Sequence, residues 1–238
     1  MSLTCGIIGL PNVGKSTIFN ALTSSSVPAE NYPFCTIEPH IGIVPLPDKR
    51  LEVLGDIYNP KKITPATVEF TDIAGLVKGA SLGEGLGNQF LAQIRQVDAI
   101  VHVVRCFEDE NVAHVENSID PLRDVELIET ELLLADLNTI DKNLLRTEKL
   151  SKSDNAAVLK LEFIKKLKAF CDGGGAARNY KCTDEELKFL DELFLLTSKP
   201  IMYVANINED ELISGKNSKH SDIPVSYTHL RAHETNSN

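Results

Sequence analysis

The chain has 238 residues, with 24 Lys+Arg against 34 Asp+Glu and a formal net charge of −10. Apolar residues at 42% and charged residues at 24% exclude a mostly disordered or collagen-like chain and allow one large domain, or one domain with a sizeable insertion. The acidic balance argues against a surface that tracks nucleic acid throughout. No apolar run approaches the roughly 18 residues of a membrane span, and no basic segment with a long apolar stretch marks a signal peptide at the N-terminus.

Leu3–Ile8 is a short apolar, β-branched run and reads as a buried strand. Residues 15–24 follow as a helix. Residues 66–73 form a second strand-like run, residues 86–97 a helix, and residues 99–106 a third such run. Continuous apolar strands separated by helices predict a parallel sheet covered on both faces, hence an α/β layered fold. Asp120-Pro121 is a helix start, because Asp caps and Pro fits the first helical position. Apolar residues then recur at helical steps from Val125 through Leu144, and a second periodic run covers 156–170 until Gly173-Gly174-Gly175 breaks it. Thr183-x-x-Glu186 is a capping box that opens a third helix, expected to run through Leu196. The segment reads either as a helical hairpin, in coiled-coil style, inserted before the last strand, or as helices that simply cover the sheet. Residues 200–207 form that last strand.

Residues 225–238 fit no element and read as translated adapter sequence rather than native protein, so the given sequence is expected to be truncated near Pro224. His229 and His233 sit four apart within that tail, and the pair is discounted as a metal site. The five cysteines, Cys5, Cys35, Cys106, Cys171 and Cys182, are odd in number and lack a C-x-x-C. They read as reduced thiols of a cytoplasmic protein.

The sharpest chemical signal is Gly9-Leu10-Pro11-Asn12-Val13-Gly14-Lys15-Ser16-Thr17. It matches G-x-x-x-x-G-K-[ST] between a strand and a helix, the context that gives the motif its meaning. Glycines let the loop wrap so that backbone N–H groups, including those of Asn12, Val13, Gly14 and Thr17, can point at phosphate oxygens. The helix adds its positive end to the same anion. Lys15 is placed to reach the β- and γ-phosphates, and the Ser16 hydroxyl to bind Mg²⁺. The second signal is Asp72-Ile73-Ala74-Gly75 at the end of a strand, where Asp72 can hold the same Mg²⁺ and the Gly75 amide can sense the γ-phosphate. Between the two lies Asn31-Tyr32-Pro33-Phe34-Cys35-Thr36, in which Thr36 can complete the Mg²⁺ shell when the γ-phosphate is present. The glycine-rich run from Leu76 to Gly87 reads as a second loop ordered by nucleotide.

Together these residues resemble a family. G-L-P-N-V-G-K-S-T, N-Y-P-F-C-T, F-T-D-I-A-G-L-V-K-G-A-S-x-G-E-G-L-G-N and Y-V-A-N-I-N-E-D look like the Obg-like ATPases of the YchF type, in the translation-factor class of P-loop GTPases. The resemblance covers about residues 1–224. It implies a Ras-like, three-layer P-loop nucleotide domain (1–120 and 199–224) with a helical, coiled-coil insertion (121–198), a further C-terminal TGS domain missing here, and association with the ribosome or its large subunit. It brings no membrane and no sequence-specific DNA as partners.

Base choice departs from the GTPase pattern. GTPases place N-K-x-D after a strand, the Asp accepting from the guanine N1–H and 2-amino group. Here the stretch is Asn206-Ile207-Asn208-Glu209. Ile207 stands where Lys would pack along the base, and Glu209 displaces the carboxylate by one methylene. Asn206 can still bond the adenine N7 and 6-amino edge. The residues alone predict a relaxed guanine preference; the resemblance implies ATP over GTP. Catalysis departs as well: Leu76 stands where many GTPases carry the water-orienting Gln. The resemblance points instead to His114 as the catalytic group beside Lys15, whereas His102, inside an apolar strand, reads as core. In related GTPases lacking the Gln, an Asn at the place of Asn12 helps bind K⁺ beside the phosphates.

Three activities fit the motifs: a slow Mg²⁺-dependent ATPase, a nucleotide-driven ribosome-binding switch with negligible turnover, and, more weakly, a small-molecule kinase. A GTP-preferring GTPase is the alternative in base choice.

Overall fold

The computed structural model describes residues 2–23, 41–73, 86–108, 118–152, 155–209 and 213. The elements follow in the order β1 (Leu3–Ile8), α1 (Lys15–Thr23), β2 (Ile41–Pro45), α2 (Lys49–Tyr58), β3 (Thr67–Asp72), α3 (Leu86–Gln96), β4 (Ala99–Arg105), α4 (Pro121–Leu150), α5 (Asn155–Asp172), a single 3-10 turn (Ala177–Asn179), α6 (Asp184–Asp191) and β5 (Ile201–Asn206). The sheet order is β2-β3-β1-β4-β5. β1 pairs in parallel with β3 and β4, and β4 with β5.

Two elements escaped the sequence reading. β2 pairs antiparallel with β3, so the expected all-parallel sheet carries one reversed edge strand. α2 starts on Asp48, whose side chain accepts from the Arg50 N–H, and none of its residues is buried. Its Leu51, Leu54, Ile57 and Tyr58 recur at helical steps behind the Asp48 cap, so the signal was in the sequence, although Leu54, Ile57 and Tyr58 stay exposed. The expectation of strands covered on both faces holds for β1 and β4, which are buried over most of their length; every residue of β3 is only half-buried.

The sheet core gathers Ile7, Ile8, Ile100, Val101 and Val103 against Phe90, Leu91 and Ile94 of α3. Ile128, Leu132 and Ala135 of α4 belong to the same core. Ile140, farther along α4, belongs instead to a second core with Phe163, Ile164 and Leu167 of α5 and Leu190 of α6. Both readings of the helical segment therefore describe part of it: the first half of α4 covers the sheet, and the second half builds the hairpin with α5.

The helix starts are where the sequence placed them. Asp120 caps α4, with Pro121 in the first turn, and Thr183 and Glu186 form the reciprocal capping box of α6. α6 is shorter than expected. It ends at Asp191 rather than Leu196, and Phe194 turns into the left-handed region at φ 49°. The turn lets Leu193 and Leu195 enter the hairpin core while Leu196 enters the sheet core, two destinations that one continuous helix face cannot serve. Cys5, Cys106, Cys171 and Cys182 are free thiols, as expected, and Cys35 lies outside the described residues.

Candidate functional site

The C-terminal ends of the parallel strands β1, β3, β4 and β5 converge, and the loop from β1 to α1 runs across them, the usual crevice for ligands in such sheets. Two glycines shape the loop. A Cβ on Gly9 would lie 2.5 Å from the Val103 carbonyl, and one on Gly14, at φ +94°, would lie 2.4 Å from Asn206 Nδ2. Asn12 between them is left-handed at φ 61°, a conformation Asn tolerates better than most side chains.

Lys15 opens α1 and is buried. Its Nζ donates to Leu10 O at 2.8 Å, which draws the ammonium across the loop. Burial pushes its pKa down, and the Asp72 carboxylate works against that and favours the charged form. Ser16 Oγ donates to Asp72 Oδ2 at 2.7 Å. Asp72 Oδ1 is buried and has no hydrogen-bond partner among the described residues. A hydroxyl beside a carboxylate with one unused, buried oxygen is a hard-oxygen donor set that fits Mg²⁺. Among the described residues no cluster of three or more His, Cys, Asp or Glu forms a cage by itself. A divalent ion here would need other oxygens, such as those of phosphates, to complete its shell.

A cleft of about 430 Å³ adjoins the loop, lined by Asn12, Gly14, Thr17, Phe107, Asn206, Ile207, Asn208 and Glu209. The structure thus brings together Asn12, Val13, Gly14, Lys15, Ser16, Thr17, Asp72, Asn206, Ile207 and Glu209. Asn206 has a role beyond the one expected: its Nδ2 donates to Val13 O at 2.9 Å, so the residue assigned to the base also braces the phosphate loop. Thr36, Gly75, Leu76 and His114 lie outside the described residues, as does most of the glycine-rich run.

Phe107 was missed. It follows β4 directly and presents a half-buried ring to the cleft; the Arg105 guanidinium sits 4.6 Å from the ring centroid while its Nε bonds the Phe107 carbonyl. The signal was available, since an aromatic just past a parallel strand lies at the ligand-binding edge of the sheet. His102 is core, as read: it is 1% exposed, packs against Tyr203 with ring centroids 5.5 Å apart, and is pushed down to about 4 by burial. A larger cleft of about 710 Å³ lies between α4, α5 and α6. No glycine loop is among the described residues that line it, so size does not mark the site here.

Comparison with known proteins agrees with this geometry. The family described as 50S ribosome-binding GTPase matches residues 4–139. The Bacillus subtilis protein named ribosome-binding ATPase YchF is 55% identical over 213 residues, which are 89% of this chain and 58% of that protein. Its namesake from Haemophilus influenzae is 53% identical over 211 residues, 88% of this chain and 58% of that protein. A solved structure named as the Schizosaccharomyces pombe YchF GTPase superposes with a TM-score of 0.80 at 39% identity, covering 93% of this chain and 61% of that one. The chain thus spans about three fifths of the length of these relatives. A strand–loop–helix phosphate grip, a five-stranded sheet with a helical hairpin before its last strand, and these matches lead to one assignment: the chain belongs to the 50S ribosome-binding GTPase family, and within it to the YchF type.

Proposed function

We propose that this domain binds Mg²⁺·ATP, slowly hydrolyses the β–γ anhydride, and serves a regulatory ATPase that associates with the ribosome in the cytoplasm. The observation that carries the reading is the juxtaposition of Lys15, the Ser16–Asp72 pair and the Asn206–Glu209 cleft around one glycine loop. Ribosome association rests on the names of the relatives and the family. Among the described residues no helix is long and apolar enough to cross a membrane. We assign residues 1–120 and 199–224 to the nucleotide domain and 121–198 to the helical insertion. The TGS domain expected beyond it, and the non-native origin of residues 225–238, belong to the same proposal.

Loop amides from Asn12 to Thr17 and the end of α1 take the phosphate chain. Lys15 exchanges its bond to Leu10 O for phosphate oxygens and stabilises the charge that grows on them during transfer. Ser16, Asp72 and Thr36 would hold Mg²⁺, which when bound neutralises the β- and γ-oxygens. The base enters between Phe107 and Ile207, where ring and aliphatic contact favour any purine. Glu209, one methylene longer than an Asp, carries its carboxylate past the position that would meet the guanine N1–H, so the guanine advantage is lost and adenine competes. Leu76 in place of Gln leaves water poorly oriented and makes turnover slow, with His114 assigned as the group that assists. K⁺ held beside Asn12 would supply further positive charge, and turnover should then fall when Na⁺ replaces K⁺.

Calorimetry with non-hydrolysable ATP and GTP analogues in Mg²⁺ tests the binding reading. We expect tighter ATP binding, and phosphate release reduced about 100-fold or more in Lys15→Ala. Tighter GTP binding defeats the base assignment. Release equal to that of Lys15→Ala, with and without ribosomes, would favour a binding switch, the reading that Leu76 also supports.

A further inference from the structure

One stripe of α4 meets β5 and the turn that leads into it. Val125, Glu129, Leu132 and Asp136 are spaced four, three and four residues apart, so they share a helix face. Val125 packs in one cluster with Tyr203, Ala205 and Ile207. Glu129 accepts from the Tyr203 hydroxyl and, at 2.6 Å, from Arg178 Nη2. Asp136 accepts from the N–H groups of Leu196 and Thr197, both at 2.7 Å, and from the Thr197 hydroxyl. The last strand is therefore gripped before it starts, in its middle and just past its end. Ile207, at that end, lines the base cleft, and Asn206 beside it braces Val13.

The other end of α4 is in the hairpin. Its 30 residues make a rod about 45 Å long, and its second half carries α5 through the core around Ile140. Arg178 lies in the turn after α5 and also donates to Thr197 O at 3.2 Å. Glu129 thus contacts both the strand that forms the cleft and the turn that closes the hairpin. A cavity of about 360 Å³ lined by Glu126, Glu129, Leu133, Gly174 and Arg178 adjoins the ion pair, which leaves the pair room to rearrange.

We infer that Glu129 is a positioning residue for the base cleft, and that the Tyr203–Glu129–Arg178 connection couples nucleotide occupancy to the helical hairpin. The inference rests on the nucleotide reading above. A base pressed against Ile207 loads the cluster that holds Val125, and the rod carries the displacement to α5. By linkage, whatever fixes the hairpin changes nucleotide affinity by the same factor.

Binding and hydrogen exchange, measured separately on the full chain with Mg²⁺ and a non-hydrolysable ATP analogue, test this. In the unaltered protein, nucleotide should slow amide exchange in residues 155–172. Tyr203→Phe removes one hydroxyl and should bind the analogue roughly 3- to 10-fold more weakly. Its exchange in 155–172 should match the unaltered protein without nucleotide and no longer respond to it. Glu129→Gln keeps an acceptor for Tyr203 but loses the charge facing Arg178, and should also abolish the response. Variants that keep both affinity and response overturn the coupling, as does an unaltered protein that binds the analogue with no change in 155–172. An unaltered protein that does not bind the analogue overturns the nucleotide reading and the coupling together.

Discussion

At the scale of single residues, the site depends on a few atoms with two duties. Asn206 is the clearest case: it lines the base cleft and also donates to the Val13 carbonyl, inside the space that any Cβ at position 14 would claim. Asn206→Ala removes the brace as well as the base contact proposed for it. We expect ATP affinity to fall about 10-fold, the worth of one or two hydrogen bonds, with the thermal midpoint moving by only a few degrees. Titration of the variant beside a melting curve checks both parts. The spacing of Asn206-Ile207-Asn208-Glu209 was legible because a motif ties residue types to chemistry. The bond to Val13 was not, because it joins residues 193 positions apart.

At the scale of elements, local signals fared well wherever the backbone itself enforced them. Asp120-Pro121 and the Thr183–Glu186 box mark helix starts through hydrogen bonds made within three residues, and both stand. Helix ends depend on distant partners. α6 stops early because the chain after it must deliver the Leu196 and Thr197 N–H groups to Asp136, on another helix. Asp136 is fully buried; burial pushes its carboxyl up, and the three donors around it pull it back. Asp136→Ala would leave those donors buried and unpaired. We expect a loss of about 3 kcal/mol or more in urea unfolding, far beyond the effect of an ordinary surface substitution.

At the scale of the whole molecule, His102 senses charges brought together from several elements. Burial is the main cause of its low pKa of about 4, with Glu129 opposing the fall and Lys15 and Arg178 adding to it. The folded value lies below the unfolded one of 6.5, so the unfolded chain binds more protons between pH about 4 and 6.5. The stability that His102 contributes is fully present above pH 6.5 and is lost as pH falls toward 4. The shift corresponds to up to about 3 kcal/mol. Urea midpoints at pH 7.5, 6 and 5 should therefore fall more steeply for the unaltered protein than for His102→Leu.

The sequence by itself determined the phosphate loop, four of the five strands, the helix starts and the departure from a guanine-reading motif. Each of these rests on contacts a few residues long, or on residue types whose chemistry permits little else. Tertiary structure alone decided the reversed edge strand, the division of α4 between two cores and the contacts of α4 with β5. Those depend on which surfaces meet when apolar area is buried, and segments separated by 60 to 190 residues carry no mark of one another until the chain has closed.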